Sequence, residues 1–117
     1  DIKTLNTFKK NLIDRFGKTP IEVENLFTMV QLRWLAQKYG VERLVIKKNN
    51  MTAHLISNNQ SKFYQSKECE KILLYCTQNY KRCSLIDDVK GRMFRVGNIT
   101  DINEAYEIFK CIDKIKE

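Results

Sequence analysis

The sequence predicts an α+β fold: an antiparallel sheet built from two β-hairpins, with helices packed on it in the order ααββαββα. Three observations predict it. Segments 41–57 and 83–99 each hold two short runs rich in β-branched and aliphatic residues around a polar turn. Four other segments carry apolar residues at helical spacing. Glycines and helix-capping residues fall at the joints between them.

The first helix runs from about Thr4 to Arg15 and lines Leu5, Phe8, Leu12 and Phe16 along one face. Gly17 follows Phe16, where a C-terminal glycine takes the left-handed conformation. Thr19 then stands as N-cap, Pro20 at the first helical position and Glu22 three residues after the threonine, a capping box with a proline start. The second helix extends from Pro20 to Tyr39, and Gly40 closes it. It carries two apolar stripes: Val23, Leu26, Phe27, Val30 and Trp34 on one side, and Leu32, Leu35 and Tyr39 on nearly the opposite one. Such a helix is either sandwiched within its own domain or shows one stripe to a partner. The sheet and two further helices downstream favour the sandwich.

The first hairpin pairs Val41 to Lys47 with Met51 to Ser57 across a turn at Asn49-Asn50. Asn58 to Ser61 is a polar loop. A third helix, about Lys67 to Asn79, puts Cys69, Ile72, Leu73, Cys76 and Tyr80 on one face. The second hairpin joins Cys83 to Val89 with Met93 to Ile99 through Lys90-Gly91. The last helix starts near Thr100-Asp101, with Asp101 and Glu104 forming a second capping box. Ile102, Ala105, Phe109 and Ile112 face inward there, flanked by Ile108 and Ile115. Acidic residues lie early in it and lysines late, as the helix dipole favours.

Little in the chain supports catalysis. Its four glycines do not cluster, so no phosphate-binding loop can form. The lone His54 alternates with Ala53 and Leu55 in a strand and has no nucleophile to serve. Asp87 and Asp88 are neighbours in a strand, so they point to opposite faces and cannot share an ion; edge charge is the better account. Cysteines 69, 76, 83 and 111 show no CxxC spacing and read as buried small side chains in a reducing cytosol. No cofactor, metal or catalytic residue is expected, and this segment is read as not itself an enzyme.

At 117 residues the chain is read as one domain, residues 1–117, able to bury about 65% of its unfolded surface. No apolar run approaches the ~20 residues a membrane span needs. The chain starts at Asp1 without methionine, which is read as a fragment of a larger cytoplasmic protein. A net charge of +7 raises nucleic-acid binding, yet basic and acidic residues are interspersed without a run of five like charges. A solvated surface is the plainer reading, with weak, salt-sensitive DNA contact the alternative.

The segment Asp14-Arg15-Phe16-Gly17, then Pro20, Glu22-Val23-Glu24-Asn25-Leu26, Leu32-Arg33, Ala36 and Gly40-Val41 resembles the C-terminal (TRCF) domain of bacterial transcription-repair coupling factors, the Mfd family. Gln31 stands where that family often has arginine, and Val41 where it often has isoleucine. The specific match covers roughly the first 40 residues; beyond them only the order of elements corresponds. The resemblance marks Asp14, Arg15, Phe16, Gly17, Pro20, Glu22 and Gly40 as structural motif positions. Arg15 is expected to bridge to the next helix through Glu22. Arg33, away from both stripes, is expected at the surface or an interdomain contact.

The resemblance implies a regulatory, autoinhibitory interaction domain following an ATP-dependent DNA translocase that pushes on stalled RNA polymerase. The domain would pack against the parent's N-terminal module, which otherwise recruits the excision-repair protein UvrA. The candidate interface for that contact is Leu32, Leu35 and Tyr39 with Arg33, an apolar surface joined to an arginine. The alternative is a basic DNA-binding accessory domain. It needs Lys90, Arg92, Arg95, Lys81 and Arg82 to converge on one groove beside Tyr80 or Phe94.

Overall fold

The computed structural model describes residues 1–17, 21–89 and 91–116. Thr19 and Pro20, which carry the first predicted capping box, and Lys90 of the second turn lie outside the described residues. The elements are α1 (Ile2–Phe16), α2 (Ile21–Lys38), β1 (Val41–Lys47), β2 (Asn50–Leu55), a 3-10 turn at Lys62–Gln65, α3 (Lys67–Gln78), β3 (Cys83–Asp88), β4 (Gly91–Gly97) and α4 (Ile102–Asp113). The order ααββαββα is as the sequence predicts, and the 3-10 turn is the addition.

All four strands form one antiparallel sheet in the order β1-β2-β4-β3. The two hairpins therefore join through β2 and β4, with Met51 opposite Val96 and Ala53 opposite Phe94. Strand alternation sends Met51, Ala53, Leu55, Phe94 and Val96 to one face, and all five are buried. Helices α2, α3 and α4 close over that face. Phe94 meets Tyr75 of α3 and Phe109 of α4 edge-on at 6.5 and 6.2 Å, and Phe109 meets Tyr39 at 6.4 Å. The opposite face, with Thr52, His54, Met93, Arg95, Ser84 and Ile86, is exposed or half-buried.

Several local details depart from the sequence reading. Helix α1 begins two residues earlier than predicted, because Asp1 caps it through the Thr4 amide at 2.8 Å. Its apolar face does not reach the core, which contains no α1 residue, and Phe8 is 57% exposed. Gly17 has φ 81 with ψ −157, an extended positive-φ conformation open essentially to glycine alone, rather than the left-handed helical one. The first hairpin turns one residue earlier than predicted, at Lys48-Asn49. Both have positive φ (52 and 62), and Lys47 pairs with Asn50, as a type I′ turn requires. In α3, Cys69, Ile72 and Cys76 do face the core, but Leu73 and Tyr80 are exposed. The helix ends at Gln78, so its period never extends to Tyr80, and Tyr75 takes the inward place instead.

At α4 the predicted cap is present: Asp101 accepts from the Glu104 amide at 2.9 Å, while Glu104 reaches back to the Thr100 amide at 3.3 Å. Asp101→Ala is expected to lower the unfolding free energy by about 1 kcal/mol, checked by urea denaturation. Ala105, Ile108, Phe109 and Ile112 are buried, with Ile102 and Ile115 packed beside them.

Candidate interaction surface

Helix α2 serves two neighbours in turn. Along its second half, Leu32, Ala36 and Tyr39 enter the core, at 4%, 5% and 0% exposure, and Leu35 packs against it half-buried. This corrects the predicted interface: Leu32 and Tyr39 are spent inside the domain, because a three-helix cover over the sheet needs this stripe. Arg33 alone of the four projects as an exposed side chain.

The other stripe meets α1. Phe27 packs edge-on against Phe8 at 6.3 Å, and Lys9 bonds Glu24 at 2.6 Å. The ion pair joining the two helices is thus Lys9–Glu24 rather than Arg15–Glu22; Asp14, Arg15 and Glu22 are all exposed. Ile2, Phe8, Ile13, Ile21, Leu26 and Met29 leave 40–67% of their surface uncovered on these two helices.

A groove of about 450 Å³ lies between α2 and β1, lined among others by Met29, Leu32, Arg33, Ala36, Leu44 and Ile46, with Arg43 and Ile102 at its margins. Gly40, the joint between α2 and β1, has φ 73, and a Cβ added there would lie 2.7–2.8 Å from the Phe63 ring. The 3-10 turn therefore presses on this joint and fixes the angle at which the strand leaves the helix.

The far end of α2 is pinned to α4. Asp113 accepts from the Tyr39 hydroxyl at 2.6 Å and from the Lys38 ammonium at 2.9 Å, and Lys71 donates to its backbone carbonyl at 3.2 Å. Burial works to raise the Asp113 pKa, but the Tyr39 and Lys38 hydrogen bonds outweigh it and hold the carboxyl below its ordinary value. Burial, then the bond to Asp113, pushes the Tyr39 hydroxyl well up. Tyr39→Phe is expected to cost about 1.5 kcal/mol at neutral pH. A carboxylate with a depressed folded pKa stabilises fully above its unfolded pKa, and that stabilisation is lost as pH falls through the folded value. The wild-type advantage over Tyr39→Phe should therefore shrink below about pH 4, measurable as converging urea midpoints.

Among the described residues, Arg92 and Arg95 of the DNA alternative stand on opposite faces of the sheet. Arg92 sits over the Tyr64 ring at 4.6 Å and pairs with Asp87 at 3.5 Å. Arg95 lies between the fully buried Phe94 and Val96 in β4 and points to the sheet's open side. Arg82 spends its guanidinium on the carbonyls of Gly97 and Asn98, at 2.7 and 3.0 Å. Lys90 lies outside the described residues. Phe94 is in the core, so its ring is closed to any such groove, and Tyr80 is exposed.

The remaining candidates take structural places. His54 is half-buried on the open sheet face. Among the described residues no cluster of His, Cys, Asp or Glu could hold a metal ion. No helix among them is long and apolar enough to cross a membrane. Cys69 and Cys83 are buried, Cys76 is half-buried with its thiol pushed up to about 12 by burial and then by Cys83, and Cys111, against the sequence reading, is exposed. Sequence reasoning missed the Tyr39–Asp113 and Lys9–Glu24 pairs and the groove; the partners are distant in the chain and nothing local marks them.

Comparison with known proteins places the chain in a family. A transcription-repair-coupling factor from Rickettsia conorii (strain ATCC VR-613 / Malish 7) is 32% identical over 114 residues, which are 97% of this chain and 9% of the relative. The chain thus spans a small part of the length of the curated relative it matches. No solved structure matches it. The family model of the TRCF domain matches residues 1–66, the α1–α2 hairpin, the first β-hairpin and the turn that presses on Gly40. Matched over more than half its length, this chain belongs to the TRCF domain family of transcription-repair coupling factors.

Proposed function

We propose that the chain is a regulatory interaction domain that holds its parent repair factor in a closed state. It does so by covering the N-terminal module that recruits UvrA. The observation that carries this reading is the set of uncovered apolar side chains on α1 and α2, with Phe8, Ile21 and Leu26 at 57%, 67% and 59% exposure, in the segment that matches the family. The contact works as an intramolecular competition. Tethered to the same chain, the domain meets the module at a high effective concentration and excludes a partner arriving from solution. A modest interface suffices, since the contact must also open when RNA polymerase is engaged. The parent's translocation on DNA, driven by ATP, belongs to other parts of that protein.

Calorimetric titration of this chain against the parent's N-terminal module tests the reading. Binding with a micromolar Kd, displaced by added UvrA and weakened at least tenfold by Leu26→Glu, is expected. If the full-length parent binds UvrA equally well with and without this domain, the covering role is wrong.

A further inference from the structure

We propose that the free edge of β1 and the groove beside it form a docking site for an extended, acidic protein segment, which adds to the sheet as a fifth strand. β1 is an outer strand, hydrogen-bonded on one side only, to β2. Among the described residues, no backbone hydrogen bond beyond that ladder engages positions 42–46. Its outward N–H and C=O groups are therefore open to a new strand. The other outer strand, β3, carries Asp87, which is tied to Arg92. The two edges are chemically unlike.

The space beside β1 suits a strand. The groove runs between this edge and α2, the geometry in which a peptide gains main-chain hydrogen bonds from a strand while a helix receives its side chains. Seven strand residues give about 23 Å of edge, enough for a segment of about six residues. By register, Leu44 and Ile46 share the inner side of the sheet with Ala53 and Met51. Both are only half-buried, since nothing beyond β1 finishes covering them. An added strand would lay alternate side chains on Leu44, Ile46, Leu32 and Ala36.

Charge selects the partner. Arg33 rims the groove from α2, and Arg43 stands on the edge strand beside it, on the sheet's open side with His54; both are exposed, and neither belongs to an ion pair among the described residues. The acid of the rim, Glu42, already accepts from the Ser57 amide at 3.2 Å. A segment alternating aliphatic and acidic residues places its apolar side on the floor and its carboxylates on the sheet's open side at Arg43, which binds a carboxylate as a planar fork, while Arg33 adds positive charge from the helix side. This site is separate from the Phe8–Leu26 surface and does not depend on the covering role.

The test is a titration of the isotope-labelled chain, followed by backbone amide NMR shifts, with an end-capped octapeptide alternating valine and glutamate. Expected are shifts concentrated at residues 42–46 and Arg33, and at least tenfold weaker binding for the Arg33→Glu/Arg43→Glu double variant. The same loss is expected for a valine–lysine peptide and for a peptide N-methylated at alternate amides, while Leu26→Glu binds as wild type. The proposal is overturned by no shift on β1 at millimolar peptide, or by equal binding of the lysine peptide. Shifts on β1 and β3 that grow with the chain's own concentration would also overturn it, by giving the edge to a second copy.

Discussion

Phe109→Ala is expected to lower the unfolding free energy by about 4 kcal/mol, the upper range for removing a fully enclosed ring. Phe109 has no exposed surface, and its ring stands between Tyr39, which follows α2, and Phe94 of β4. Truncation opens a cavity where two helices meet the central pair of strands, and none of those elements can move in without breaking the others' packing. Total stabilities of domains this size are about 5–15 kcal/mol, so much of the folded state's margin would go. Urea denaturation measures it as a lower midpoint with an unchanged slope. The control is Phe8→Ala, where the ring is 57% exposed and lies outside the core; its cost should stay below about 1 kcal/mol. Similar losses at the two sites would mean that α1 is part of the core after all.

Gly40→Ala is the second large effect, about 2–3 kcal/mol from two sources that add. A left-handed backbone costs a residue with a Cβ roughly 1–2 kcal/mol. The new carbon would also sit 2.7 Å from the Phe63 ring, which cannot retreat freely because it packs edge-on against Tyr64 at 5.2 Å. Gly17 gives a clash-free comparison in a different, extended positive-φ region: nothing lies within 4 Å of a Cβ built there. Gly17→Ala should show a backbone cost alone, about 1–3 kcal/mol in the same denaturation experiment.

The element order and the pairing of strands into two hairpins were legible because each rests on signals a few residues apart. Asp101 with Glu104 and the alternation through Met51, Ala53 and Leu55 are of that kind. What failed rested on neighbours far along the chain. The downstream sheet and helices favour burial of the stripe Leu32, Leu35 and Tyr39, yet its apolar composition beside Arg33 also fits an interface until the sheet that covers it is in place. The two-sided helix α2 carried no local sign of which side belonged to α1 and which to the core. Turn position slipped by one residue because Lys48 takes a positive φ that its composition does not advertise. At the candidate surface, the sequence marked Arg33 but not the strand edge it overlooks, which exists only once β1 has become the outermost strand.

The division of α2 between α1 and the core has a kinetic consequence. Its first half is held by α1 through Phe8 and Lys9, its second half by residues that lose their burial only when the whole domain unfolds. The amides of α1 should therefore exchange with solvent hydrogen through a small opening, while those near Ala36 should wait for global unfolding. A helix that can let go while the sheet stays folded allows the exposed hairpin surface to be remade without refolding the domain that carries it.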